Sequence, residues 1–528
     1  MRSLPARRTV LGAAALAATG LTAGCADRGR PDTADAEGTG GHVRPDGPEV
    51  RAAEARRPHG RTRRVRLTAT RTRLALGSGV TVPTWAYGDR IPGQEIRATA
   101  GGTLELTLAN HLPAATSVHW HGLALRNDMD GVPGLTQREI RPGADFTYRF
   151  AVPHPGTYWF HPHSGLQRDR GLYAPLIVED PREPLRYDKE WVVVLDDWLD
   201  GVDGATPDSV LAALRRGMGH GGDGSDGDGS GDAHGMHGMH GMLGTGARPS
   251  AAAGPSTAAG TGSPLLGGDA GDVDYPHHLV NGRTRTDPET FRAKPGDRIR
   301  VRLINAGGDT AYRVALGGHR MTVTHTDGYP VEHTATDTLL LGMGERYDVL
   351  VTAGDGVFPL TALAEGKKGT ARALLRTAPG SAPPAAARPQ ELSGTPLTAG
   401  RLTAADAVRL APRQPDRTVT LRLTGSMARY DWGIGGRQYD PRRRHPVTAG
   451  ERVRLRFVNT TSMWHPMHLH GHTFALPDGG PRKDTAIVLP GRTLEVDFDA
   501  DNPGLWLAHC HNVYHSGSGM MTVLGYRA

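Results

Sequence analysis

The chain has 528 residues, with 72 glycines and 39 prolines against only 8 phenylalanines, and a formal charge of +6 from 61 basic and 55 acidic side chains. That length exceeds one hydrophobic core and implies about two to four domains, while the Gly and Pro content favours turns and short strands over helices. Most of the basic residues are Arg, several alternating with apolar residues as in RIRVRL (298–303); this describes solvated strand faces and, without an interleaved aromatic module, excludes a nucleic-acid binder.

Residues 1–25 read as an export signal. A basic start with Arg7 and Arg8 precedes a weakly apolar run from Val10 to Leu21, too short to span a bilayer. RRTVL resembles a twin-arginine signal. LTAGC (21–25) resembles a lipoprotein box, although Thr22 departs from its usual Leu or Val. Two outcomes stay open: Cys25 is lipidated and anchors the chain to the outer face of the cytoplasmic membrane, or plain cleavage nearby releases it. Both imply an extracellular or cell-envelope location. Residues 26–60, rich in Asp, Gly, Pro and Arg, are expected to form a disordered tether.

Three later segments share one frame: GGTLELTLAN from Gly101, GDRIRVRLIN from Gly296 and GERVRLRFVN from Gly450. Alternating apolar and polar residues predict a half-buried strand in each, and three such units predict three related β-sandwich domains. The boundaries are set at 61–185, 186–385 and 386–528. Nine residues past the closing Asn stand His119 in the first unit and His468 in the third, with His121 and His470 two further on, in HWHG and HLHG. The middle unit has Val314 and Leu316 there.

A second frame behaves alike. PGTYWFHPH from Pro155 and PGLWLAHCH from Pro503 align His161 with His509 and His163 with His511, whereas DGVFPLTAL from Asp355 has no histidine. Residues i and i+2 of a strand face the same way, so each His-x-His is a two-toothed clamp. One pair is weak evidence; four, matched by a repeat, are strong. Imidazole suits Cu, Zn, Fe or Ni, and eight histidines exceed the ligand set of one tetrahedral zinc. A multinuclear centre between the first and third domains is expected.

Beyond Cys25 there is one cysteine, Cys510, between His509 and His511. Extended backbone turns it away from its neighbours, toward a different metal. Its expected partners are His515, Met520 and His465, since two His, one Cys and a weak Met form a blue-copper electron-transfer site. In the first unit these positions are Pro162, Gln167 and Leu172, so only the third builds such a site. The tripeptide would then join two metal centres covalently.

With HWHG, HPH, HPMHLHG and HCHNVYHSGSGM in order, the chain from about residue 61 onward resembles the three-domain multicopper oxidases, near the laccase and cuprous-oxidase branches. The resemblance implies an all-β protein of three cupredoxin-like Greek-key sandwiches with four coppers. By motif position, type-1 copper falls to His465, Cys510, His515 and Met520, and type-2 copper to His119 and His468. One type-3 copper falls to His121, His161 and His511, the other to His163, His470 and His509. It also implies one-electron oxidations of phenols, aromatic amines or Cu(I) coupled to reduction of O2 to water, with a role in copper tolerance. A non-enzymatic copper-binding protein is the alternative. A binuclear hydrolase would leave Cys510 unexplained, and a copper nitrite reductase lacks the paired histidines.

Asp130, in NDMDGVPG, matches an acid that feeds protons to the cluster in related oxidases; the competing reading is a plain Asp-Gly turn. Ser516 stands where the cuprous-oxidase branch has a Glu. His472 is expected behind the ligands, Met521 in the core beside Met520, and Asp484 either near the way in to the type-1 copper or in a loop ion pair. His277, His278, His319, His325 and His333 are expected to be structural or exposed. Residues 218–242 carry four His and four Met among Gly and Asp. They are expected to be a flexible insertion whose thioethers and imidazoles suit Cu(I). Since one chain holds every ligand, a monomer is expected.

Overall fold

The computed structural model describes residues 41–217 and 262–528; the expected export signal, residues 26–40 and the His/Met-rich tract 218–242 lie outside them. The three repeated segments are strands, Gly102–Asn110, Arg298–Asn305 and Arg452–Asn459. Alternation turns their apolar side chains inward. Leu104, Leu106 and Leu108, then Ile299, Val301 and Leu303, then Val453, Leu455 and Phe457 are all fully buried. Each repeated strand runs parallel to an earlier one, Thr62–Gly77, Lys189–Trp198 or Arg417–Thr424, and antiparallel to a later one, Asp145–Val152, Arg346–Thr352 or Thr493–Asp499. A second sheet covers each inner face, so the chain builds three β-sandwiches, with sheets of 4 and 4, 7 and 5, and 6 and 5 strands.

The asparagine that ends each repeat has one job in all three places. Asn110 donates to the carbonyls of Ala114 and Ile140 at 3.0 and 2.8 Å and accepts from Leu112 N at 3.0 Å. Asn305 donates to Thr310 and Leu341 at 2.9 and 3.1 Å and accepts from Gly307 N at 3.0 Å. Asn459 donates to Met463 and Val488 at 2.7 and 3.1 Å and accepts from Thr461 N at 3.0 Å. Each buried amide thus satisfies a loop that would otherwise strand polar groups, and that loop delivers the next strand in register.

The delivered strands are His119–His121, Tyr312–Leu316 and His465–Leu469. They pair antiparallel so that His119 faces His161, Val314 faces Ala362 and His468 faces His509. Val314 and Ala362 are fully buried; the middle sandwich packs core where the outer two place imidazoles. One apolar cluster links the outer sandwiches, joining Trp120, Leu125 and Leu172 to Met467, Val513 and Met520, while the middle one has its own around Leu303, Tyr347 and Leu375.

Residues 41–60 correct the expected tether. Val43 N donates to Tyr526 O at 2.8 Å, and Pro48–Ala55 is a helix. Val50, Ala53 and Glu54 share its inward face. Glu54 accepts from Ala151 N at 2.7 Å, and Arg57 donates to Asn502 at 2.9 Å. A polar composition concealed a short docking face. No helix among the described residues is long and apolar enough to cross a membrane.

Candidate metal centres

Strand register sets the histidines against one another. From the facing pairs, His121, His163, His470 and His511 follow two residues on, so eight imidazoles from the two outer sandwiches converge. All are buried except His163, which is half-buried. Three groups arise: His121, His161 and His511; His163, His470 and His509; and His119, His121 and His468. Within each, one ring nitrogen per residue lies within 4.8 Å of the others. His119 Nε2, His121 Nδ1, His161 Nε2, His163 Nε2 and His468 Nε2 are buried without a hydrogen-bond partner among the described residues. Orphaned nitrogens on this scale fit metal ions and little else. Burial first, then the crowding of the imidazoles on one another, with Arg346 beside His121 and Arg168 beside His161, His509 and His511, push His121, His161, His163, His470, His509 and His511 well below the usual imidazole range. Each therefore offers a neutral lone pair, the form that binds metal.

Carboxylates behind the rings choose which nitrogen faces inward. Asp130 is fully buried. Its Oδ1 lies 3.1 Å from His119 Nδ1 and its Oδ2 2.9 Å from His470 Nδ1, and the two rings stack with centroids 3.7 Å apart. Because Asp130 occupies both Nδ1 atoms, it orients these rings and stands outside the ligand set, although its oxygens fall close enough to join one. Asp484 is fully buried against two of the eight histidines, with Oδ1 3.0 Å from His121 Nε2 and the carbonyl 2.9 Å from His468 Nδ1. Its ion pair is with Arg346 at 2.6 Å, from the bend between Arg482–Lys483 and Thr485–Val488, so the expected loop ion pair is present, buried, and the place near the way in to Cys510 is not the one it takes. Burial alone would raise its pKa, but the Arg346 guanidinium holds it well below the usual carboxylate range.

The second centre lies on the other face of the same strand. Cys510 Sγ is 3.6 Å from both His465 Nδ1 and His515 Nδ1, which are 3.1 Å apart. A helix, Val513–Ser518, folds the chain back, capped by Asn512 accepting from Tyr514 N and His515 N. Met520 then returns beside the cysteine: it is fully buried, and its carbonyl accepts from Cys510 N at 3.0 Å. The outer nitrogens are held differently. His465 Nε2 meets Thr461 Oγ1 at 2.8 Å, and His515 Nε2 meets the buried Asp272 carboxylate at 3.1 Å. Burial pulls the His515 pKa down, but Asp272 and Cys510 carry it up to about 10. A soft thiolate with two imidazoles fits copper; His465 and His515 would hold it through Nδ1, the His515 proton there being displaced while Asp272 holds Nε2.

Profiles described as multicopper oxidase match residues 68–183, 256–380 and 412–527. The chain is 49% identical over 482 residues to the multicopper oxidase MmcO of Mycobacterium tuberculosis, covering 90% of each chain. This chain belongs to the multicopper oxidase family. It is therefore an oxidoreductase that uses O2 as acceptor. It is also 28% identical to copper resistance protein A of Escherichia coli, over 81% of this chain and 87% of that one. Among solved structures, a multi-copper oxidase from Pseudomonas thermotolerans superposes with a TM-score of 0.61 at 25% identity, covering 88% of this chain and 99% of that one.

The sequence reading of this multicopper oxidase missed three residues at the centres. Asp272 and Arg346 come from the middle sandwich, and no repeat or spacing marks them. Arg168 packs on His511 and donates to its carbonyl at 2.8 Å; it differed from other arginines only in lying five residues after His163. His472 stands behind the cluster as expected, with Nδ1 3.1 Å from His470 O and Nε2 2.7 Å from Tyr526 OH. Ser516 donates to Val513 O at 3.1 Å and offers no carboxylate. Met521 turns away from Met520, into a small cluster with Val132 and Leu507. His277, His278, His319, His325 and His333 join no metal-holding group among the described residues.

Proposed function

We propose that this oxidase holds four coppers and oxidises Cu(I), with phenols and aromatic amines as further reductants, in copper tolerance. Type-1 copper is assigned to His465, Cys510, His515 and Met520, and type-2 copper to His119 and His468. The type-3 pair is assigned to His121, His161 and His511 and to His163, His470 and His509. Bound copper would supply the one-electron steps and the four-electron reduction of O2 to water. The observation that carries this reading is the tripeptide 509–511, whose histidines face the eight-imidazole cluster while Cys510 faces His465 and His515. Its backbone is the shortest covalent path between the two centres.

The chain's own groups supply the rest. Asp272 is hydrogen-bonded to His515 through one carboxylate oxygen and orients that ring, while its other oxygen is buried without a partner among the described residues. The contacts of Asp130 with two imidazoles support assigning it the delivery of protons to the O2 site, and Ser516 offers a hydroxyl where the cuprous-oxidase branch has a Glu. The relatives named as copper resistance proteins favour a copper-handling role over a general laccase. Export by the twin-arginine-like signal, with Cys25 lipidated or removed, would place a monomer where external copper is met. Absorption spectroscopy and oxygen uptake on the copper-loaded protein test the reading. An intense blue thiolate band with Cu(I)-driven O2 consumption is expected; a colourless protein that binds copper without consuming O2 would leave only a copper-binding function.

A further inference from the structure

The middle sandwich has no histidine pair, yet one of its side chains reaches the cluster. Arg346 is fully buried. Its Nη1 and Nη2 donate to Asp484 Oδ1 and Oδ2 at 2.7 and 2.6 Å, its Nε to Thr157 O at 3.1 Å, and Nη1 also to Gly344 O at 3.2 Å. The guanidinium therefore touches all three sandwiches. A bidentate grip of this kind fixes a carboxylate in rotation as well as in place.

The surroundings are built around that grip. Asp327, at a left-handed φ of 47°, accepts from Arg346 N at 2.9 Å and from Asp484 N and Thr485 N at 3.1 and 3.2 Å. Strained backbone persists only where its surroundings demand it; here three amides from two domains do. Gly122, the glycine of HWHG, sits at φ 87°, and a Cβ there would lie 2.4 Å from Arg346 Nη2 and 2.6 Å from Asp484 Oδ2. The residue after His121 is thus bare because the ion pair fills its place.

The grip bears on one imidazole in particular. Asp484 Oδ1 accepts from His121 Nε2 at 3.0 Å, so His121 turns Nδ1 toward the cluster, whereas His119, His161, His163 and His468 turn Nε2. We propose that Arg346 is a positioning residue of the cluster: by fixing the Asp484 carboxylate it selects the Nδ1-inward orientation of His121. This rests on the assignment of the eight histidines to copper. Groups behind metal ligands set ring orientation and tautomer, and their loss weakens metal binding about 10–100-fold.

The test compares Arg346→Met with the wild-type holoenzyme by copper content, absorption and electron paramagnetic resonance. The variant is expected to keep the blue band, since His465, Cys510 and His515 touch none of these groups, while losing cluster copper and showing altered resonance from what remains. Should the unpaired Asp484 prevent folding, the double variant Arg346→Met, Asp484→Asn removes the buried charge and is expected to show the same selective loss. Full copper content with unchanged spectra in either folded variant, even at a lowered melting temperature, would reduce Arg346 to a domain fastener and overturn the proposal. A wild-type protein with the blue band but no cluster copper would overturn the assignment beneath it as well.

Discussion

On the proposed assignment Cys510 carries two separate duties, as a ligand and as a link, and Cys510→Ser removes both with a change of one atom. A hydroxyl is a poor ligand for copper in this setting. The variant should lose the blue band and nearly all oxidase activity, yet retain copper at the eight imidazoles; a persisting blue band would mean that the thiolate lies elsewhere. Asp130→Asn keeps size and one acceptor, so His119 or His470 remains held, but the amide shuttles no proton. Turnover should fall about 100-fold or more with the blue band intact, and equal rates across pH would leave Asp130 with only the orientation of His119 and His470. The eight cluster histidines were legible because a period of two on a strand leaves a mark in sequence and the repeat doubled it, and Cys510 because it interrupts one of those pairs. Asp272 and Arg346 left none: Asp272 comes from a loop, and Arg346 opens a strand whose copies begin with Asp145 and Thr493, so the repeat carries no arginine there. Asp484 stood out in RKDT, yet a loop acid has no period from which to read its direction, and it belongs to the other centre.

At the scale of elements, the strands followed from alternation and the sandwiches from three copies of one frame. The helix Pro48–Ala55 did not, because three inward residues among charged neighbours make too weak a pattern to separate from a tether. A second element matters more for function. Arg215, near the end of the helix Pro207–Gly217, donates to Gly517 O at 3.2 Å, and Asp272, after the tract, meets His515. The chain on both sides of residues 218–242 therefore touches the helix that carries His515, proposed above as a type-1 ligand. Soft ligands tethered there would raise the local concentration of Cu(I). Replacing the tract with a short Gly-Ser linker should lower the ratio of Cu(I) to phenol catalytic efficiency at matched copper loading. If that ratio holds steady, the tract is a passive connection and the case for Cu(I) as reductant weakens.

Across the whole molecule, the sandwiches are joined by buried charge as well as by apolar packing. Asp348 accepts from Arg300 and Arg302 of its own sandwich at 2.6 and 2.9 Å and from Thr157 of the first at 2.6 Å. Burial alone would raise its pKa, but Arg300 and Arg302 hold it well below the usual carboxylate range. A carboxyl depressed on folding stabilises the protein above its unfolded value of about 3.9, and that contribution is lost as pH falls through the folded value. Asp348→Asn should cost about 3 kcal/mol at neutral pH by leaving buried guanidinium groups short of an anion. It should also flatten the loss of stability below about pH 4, as measured by denaturant unfolding at pH 7 and pH 3. Equal stability of the two proteins at both pH values would show that Glu183 and Glu190, the other partners of these arginines, suffice.

The account as a whole rests on one chain holding both a type-1 centre and a cluster able to reduce O2 completely. Anaerobic reductive titration of the oxidised, copper-loaded protein, followed at the blue band, measures this directly. Four electrons per chain should be taken up, and readmitted O2 should restore the oxidised spectrum with one O2 consumed for every four electrons. An uptake of a single electron per chain, with no O2 consumed on reoxidation, would contradict the account and leave an electron carrier without a cluster.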